Sequence, residues 1–126
     1  MLGLERKNIA IIGSGGIGSR HFQALLKNNF PSLIQIFDPN ENSIELSKKI
    51  FKESEFNNNI KVEFYKSFVK NSFNIDLLII ATLSDIRSKV FSDFISINNV
   101  SNIIFEKIVF QSSDQFSEVI ETLEQN

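Results

Sequence analysis

The chain has no cysteine among its 126 residues. Disulfides, thiol catalysis and cysteine-built metal sites are therefore excluded. A single histidine leaves no basis for a dedicated zinc site, and no metal is expected. No apolar run approaches the roughly 20 residues that cross a bilayer. The first such run is only Ile9-Ala10-Ile11-Ile12. The opening residues, Met1 to Lys7, lack the apolar region and cleavage site of a signal peptide, so a cytoplasmic location is expected. Charge is nearly balanced, with 13 Lys and Arg against 15 Asp and Glu, and it forms no basic tail or stripe. Neither nucleic acid nor a membrane is expected as a partner. The 13 phenylalanines are not interleaved with basic residues as a base-stacking surface requires.

What is present reads as ordinary globular sequence. Hydrophobic residues make up 42% and charged residues 22%, enough to bury one core. With no linker, repeat or low-complexity stretch, residues 1–126 are expected to form a single dinucleotide-binding domain.

Apolar patterning alternates between two periods. Ile9–Ile12 reads as a central strand buried on both faces, Leu77–Ala81 as the strongest buried strand, and Leu33–Phe37 and Ile103–Phe105 as the second and fifth strands. Ile60, Val62 and Phe64 alternate with Lys61 and Glu63, which places that strand at a sheet edge. Helices are expected from about Gly16 to Asn28, with Phe22, Leu25 and Leu26 inward, and from an Asn40 cap to about Glu53, with Ile44, Ile50 and Phe51 on one stripe. Ile86, Val90, Phe94 and Ile97 give a third helical stripe, and Phe116, Val119, Ile120 and Leu123 a last one after Ser112. Ser67–Ile75 has no clear period, and a short helix is the expectation there. Strands alternating with helices imply α/β architecture: a doubly wound parallel sheet of Rossmann type, strand order 3-2-1-4-5.

Chemistry concentrates at the first strand-to-helix turn. Gly13-x-Gly15-x-x-Gly18 follows a buried strand and opens a helix, the context in which such a turn cradles a pyrophosphate. Gly13 allows the sharp turn, Gly15 lets a phosphate approach the backbone, and Gly18 allows close helix–sheet packing. The amides near Gly16 and Ile17 point toward the anion, aided by the helix dipole. Asp38 lies twenty residues past Gly18, where a carboxylate can accept from both ribose hydroxyls of an adenosine. A carboxylate there repels a 2′-phosphate by roughly 1 to 4 kcal/mol at 4 Å. No Arg or Lys lies in Pro39-Asn40-Glu41-Asn42 to offset it. NAD is expected in preference to NADP. An Asp-Pro pair can also simply form a turn.

Four stretches together resemble the amino-terminal domain of the Gfo/Idh/MocA (glucose–fructose oxidoreductase/inositol dehydrogenase) family. They are Ile9 to His21, Ile36-Phe37-Asp38-Pro39, Asp76 to Thr82, and Ile104-Phe105-Glu106-Lys107. The resemblance implies hydride transfer between a nicotinamide cofactor and a hydroxyl or carbonyl of a sugar, inositol or sugar derivative. It implies that Thr82 and Leu83 lie beside the cofactor, that Glu106 lies near its nicotinamide end, and that Lys107 acts at the reacting centre. Three positions depart from the family pattern. Leu83 and Ile108 stand where the family usually has proline, and Arg87 stands where it usually has histidine. Arg87 stays protonated and cannot serve as general acid or base; a surface position, or an anion contact, is expected for it. His21 is expected to pack or hydrogen-bond on the first helix.

Family members carry a second, α+β substrate domain. A chain ending at Asn126 is expected to lack it and to be incomplete as a catalyst, with a homodimer or a second chain supplying the missing part. The alternatives are a non-catalytic NAD-binding partner or sensor module, and a Rossmann-like domain for another nucleotide or coenzyme A.

Overall fold

In the computed structural model, residues 6–27, 31–54, 59–82 and 86–105 are described. Strand β1 (Lys7–Ile12) leads into helix α1 (Gly16–Leu25), then β2 (Ser32–Phe37), α2 (Glu41–Glu53), β3 (Ile60–Tyr65), β4 (Leu77–Ile80), α3 (Arg87–Ile95) and β5 (Ile103–Phe105). The five strands form one sheet in the order β3-β2-β1-β4-β5, and every pairing is parallel. This is the expected doubly wound order, with the reversal between β1 and β4. The edge position of β3 is as its alternating pattern predicts. The expected helix after Ser112 lies outside the described residues.

The sheet is covered on both faces. Ile9, Ile11, Ile34, Ile36 and Ile79 pack with Phe22 and Leu26 from the α1 side and Ile44 of α2. Ala10, Ile12, Phe37, Leu78 and Ile80 face the other way and pack with Phe91, Phe94 and Ile95 of α3. Successive strand residues serve opposite cores because side chains alternate with period two. Helix α2 starts as its sequence predicts, with the Asn40 side chain accepting from the Asn42 and Ser43 amides.

Two expectations need correction. Of the Ile86–Val90–Phe94–Ile97 stripe, Phe94 is buried and Val90 packs against the core, but the two isoleucines at its ends do not face inward. Ile86 is 48% and Ile97 37% exposed, while Arg87, Ser88, Phe91, Phe94 and Ile95 are buried. The aromatic rings anchor the helix, and Phe91, off the expected stripe, turns inward beside Phe94. Phe94 meets Phe37 at 5.5 Å and Phe68 at 5.2 Å, and Phe91 meets Phe105 at 5.3 Å between centroids. A ring removes more apolar surface than an isoleucine and adds edge-to-face attraction. The second correction is Ser67–Ile75, which is not helical. Its backbone is held by side chains instead. Asn98 Oδ1 accepts from the Asn71 amide at 3.0 Å, and Asn98 Nδ2 donates to the Val69 carbonyl at 3.0 Å.

Those asparagines belong to a polar network under β2 and β3. Gln35 Nε2 donates to Glu63 Oε1 (3.0 Å) and Asn71 Oδ1 (2.9 Å), and Tyr65 Oη donates to the same Glu63 oxygen at 2.9 Å. The hydrogen bond from Gln35, opposed by burial and reinforced by Tyr65 and Lys61, holds the Glu63 carboxyl below its ordinary range. A carboxyl depressed in the folded state stabilises the fold above its unfolded pKa, and that contribution is lost as pH falls through the folded value. Glu63→Gln should therefore be less stable than the parent at pH 7, by about 1 kcal/mol for a weakened charged hydrogen bond. The difference should vanish on acidification below the carboxylate range. Chemical denaturation of both proteins across pH checks this; a pH-independent difference contradicts it.

Candidate functional site

The glycine turn sits where β1, β2 and β4 end together. Gly13 leaves β1 at φ +93°, a conformation that costs any L side chain roughly 1–2 kcal/mol. Its amide donates to the Phe37 carbonyl at 2.8 Å. A Cβ on it would lie 2.9 Å from the Ala81 carbonyl oxygen and 3.2 Å from Thr82 Cγ2. The turn is thus wedged between the ends of β2 and β4. Gly18 brings α1 down onto this turn, and a Cβ there would overlap the Gly13 carbonyl oxygen. Gly15 is different: nothing lies within 4 Å of the Cβ it lacks. It is the N-cap of α1, and no side chain caps that helix. Gly16 and Ile17 form the first turn, where backbone N–H groups lack intrahelical partners and attract anions.

Asp38 closes the site from β2. Its Oδ2 accepts from the Ser14 amide at 2.8 Å and from Ser14 Oγ at 3.3 Å, and its Oδ1 accepts from the Asn40 amide at 2.8 Å. The Asp38 amide donates to the Tyr65 carbonyl at the end of β3. A carboxylate offers about four acceptor positions; among the described residues three are filled and one remains, on Oδ1. The sequence places two ribose hydroxyls on this group; the geometry leaves room for one donor without rearrangement. The turn-forming reading of Asp38 holds, since it shapes the turn into α2, and its carboxylate also faces the glycine turn. Ser14 is the residue that sequence reasoning missed. A serine between two turn glycines carries no motif signal, and its partner is twenty-four positions away.

At the end of β4, Thr82 abuts Gly13, and its buried Oγ1 has no hydrogen-bond partner among the described residues. Arg87 is not the expected surface arginine. It is only 5% exposed, and its Nη2 donates to the Thr82 carbonyl at 2.6 Å. A buried cation held to a strand-end carbonyl braces the β4–α3 connection. Arg87→Ala should destabilise the fold by about 2–4 kcal/mol through the lost charged hydrogen bond and the cavity left behind. Thermal unfolding checks this, and an unchanged midpoint contradicts it. His21 lies half-buried on α1, as expected of a packing residue. Leu83, Glu106 and Lys107 lie outside the described residues.

The structure thus gathers Gly13, Gly15, Gly18, Asp38 and Thr82 at the carboxyl ends of β1, β2 and β4, the crevice where open parallel sheets bind ligands. An open cradle at Gly15, an uncapped helix start and an orphaned hydroxyl on Thr82 suit a phosphate-bearing ligand. Among the described residues no group of three His, Asp or Glu could hold a metal ion. No described helix is long and apolar enough to cross a membrane.

Comparison with known proteins agrees with this geometry. The sequence model of the Gfo/Idh/MocA oxidoreductase family, NAD-binding Rossmann fold, matches residues 7–126. Solved structures with the same fold include an NAD-binding protein from Listeria innocua, at TM-score 0.70 and 18% identity over 96% of this chain and 33% of that one. Myo-inositol 2-dehydrogenase from Lactobacillus plantarum aligns at TM-score 0.71 and 20% identity, over 96% of this chain and 34% of that one. GenD2 from gentamicin A biosynthesis, solved in complex with NAD, aligns at TM-score 0.65 and 15% identity, over 99% of this chain and 33% of that one. The chain therefore spans about a third of the length of these structures. No curated protein matches it.

Proposed function

The chain belongs to the Gfo/Idh/MocA oxidoreductase family, and on that premise we propose that it binds NAD in preference to NADP as the cofactor half of a hydride-transferring enzyme. The observation that carries this reading is the Asp38 carboxylate, fixed beside the glycine turn at the sheet's switch point. A negative group there favours a ribose hydroxyl and repels a 2′-phosphate. Lys66, just beyond β3, does not reverse the preference, because it lies 3.9 Å from Glu41 and its exposed charge is screened.

In this reading the backbone of Gly13, Gly15, Gly16, Ile17 and Gly18 holds the pyrophosphate, and Asp38 holds the adenosine ribose. Thr82 and Leu83 flank the cofactor. Glu106 lies near the nicotinamide, and Lys107 polarises the substrate oxygen as a fixed cation. When bound, the nicotinamide supplies the hydride donor or acceptor. The substrate class proposed from the family is a sugar, inositol or sugar derivative. The pocket for it is assigned to a further domain, on the same polypeptide or on a second chain, and the working compartment to the cytoplasm.

One observation favours a second reading. The residue standing where the family usually has histidine is Arg87, turned inward to the Thr82 carbonyl and unable to exchange protons. That suits a non-catalytic NAD-binding partner or sensor. A partner protein whose affinity is unchanged by NAD would exclude the sensor version, since coupling is reciprocal.

Thermal shift tests the ligand class. NAD should raise the unfolding temperature in line with about 2.7 kcal/mol at a hundred times its Kd, and NADP and coenzyme A should raise it less at equal concentration. A larger shift with coenzyme A would overturn the proposal.

A further inference from the structure

We propose that Ser14 is a positioning residue for cofactor selection, acting on the ribose through the Asp38 carboxylate. The inference rests on the NAD-binding reading above and adds to it a residue that no glycine motif assigns. Ser14 is 1% exposed. It sits inside the turn, between Gly13 and Gly15. Its amide and its hydroxyl converge on one oxygen, Asp38 Oδ2, at 2.8 and 3.3 Å. From the opposite side the Asn40 amide holds Oδ1 at 2.8 Å.

Three donors on two oxygens fix both the position and the rotation of the carboxylate plane. The two donors from Ser14 fill the acceptor positions of Oδ2, so the remaining one, on Oδ1, is the position left for a ribose hydroxyl. Removing the Ser14 hydroxyl leaves the amide contact as the single tether on Oδ2. With one donor fewer, the carboxylate is held less rigidly between the Ser14 and Asn40 amides, and a group that must be immobilised on binding binds less tightly. Buried as it is, Ser14 needs no contact of its own with the ligand. Its influence passes through Asp38, which makes the effect separable from a direct contact or from general stability.

The test is a double-mutant cycle on the chain as it stands, read by calorimetric titration with NAD and with NADP. The variants are Ser14→Ala, Asp38→Ala and the two combined, each with its unfolding midpoint measured. Ser14→Ala should weaken NAD binding about three- to ten-fold, the effect of about one hydrogen bond, and should narrow the NAD-to-NADP ratio. In the Asp38→Ala background the same change should have no effect on either cofactor. Equal losses in both backgrounds would show that Ser14 acts independently of Asp38 and overturn the inference. A lowered midpoint with unchanged NAD affinity would assign it a purely structural role, with the same consequence. If the parent chain bound no NAD, the reading beneath would fall as well, so the two failures are distinct. Should Ser14→Ala not fold, Ser14→Cys, slightly larger, keeps a weaker donor at the same place and enters the same cycle.

Discussion

Replacing Gly18 by alanine is expected to remove a large share of the stability of this fold. The added Cβ meets the Gly13 carbonyl oxygen, which is backbone rather than the end of a flexible side chain. Gly13 has little room to yield, since its amide is bonded to Phe37 and it lies against Ala81. Helix α1 must therefore lift from the sheet. That movement uncovers Phe22 and Leu26, now 1% and 2% exposed. Full exposure of both would cost roughly 3–6 kcal/mol, at 1.5–3 for each large apolar side chain. Domains of this kind are stable by only about 5–15 kcal/mol. Urea unfolding should show a loss of at least about 3 kcal/mol, or no folded population. Gly15→Ala is the matched control. Its φ of −71° suits alanine and its Cβ meets nothing, so stability should change by less than about 1 kcal/mol. NAD affinity should still fall, because the methyl group occupies the space left for the phosphates. Wild-type stability in Gly18→Ala would contradict the packing described for the turn.

The second large effect is expected at Asp38. On the proposed reading, Asp38→Ala removes the charge that opposes a 2′-phosphate, worth roughly 1 to 4 kcal/mol at contact distance, or about ten- to a thousand-fold. Preference for NAD over NADP should collapse to within about three-fold, through weaker NAD binding and stronger NADP binding together. The same change strands the Ser14 and Asn40 amides that Asp38 now accepts. A stability loss of about 1–3 kcal/mol should accompany it. Titrations must therefore be made well below the unfolding temperature. An unchanged NAD-to-NADP ratio would remove Asp38 from cofactor selection and leave it the turn-forming role alone.

The sheet was legible in the sequence because its determinants are local. Ile9–Ile12 and Leu77–Ile80 are unbroken apolar runs, and alternation in β3 marks an edge whatever lies next to it. The positions of Gly13, Gly18 and Asp38 were legible because turn chemistry depends on spacing. What escaped depends on partners far along the chain. At the two ends of the α3 stripe the periodicity fails, because Phe91, against Phe105, turns inward with Phe94 and leaves Ile86 and Ile97 exposed. Arg87 looked like a surface residue because charge usually is; the carbonyl that holds it inside belongs to a strand end. Ser67–Ile75 was read as a helix because nothing in its composition shows that Asn98 would satisfy its backbone. Ser14 and Asp38 were both visible, but their pairing was not.

The central claim is that this chain carries a site for a nicotinamide dinucleotide that discriminates by the group on the adenosine ribose. Isothermal titration of the unaltered chain with NAD and with NADP tests it most directly. The proposed function predicts saturable binding of NAD at one site per chain, with NADP weaker by about ten-fold or more. No heat of binding with NAD at millimolar concentration, or tighter binding of NADP, would contradict it.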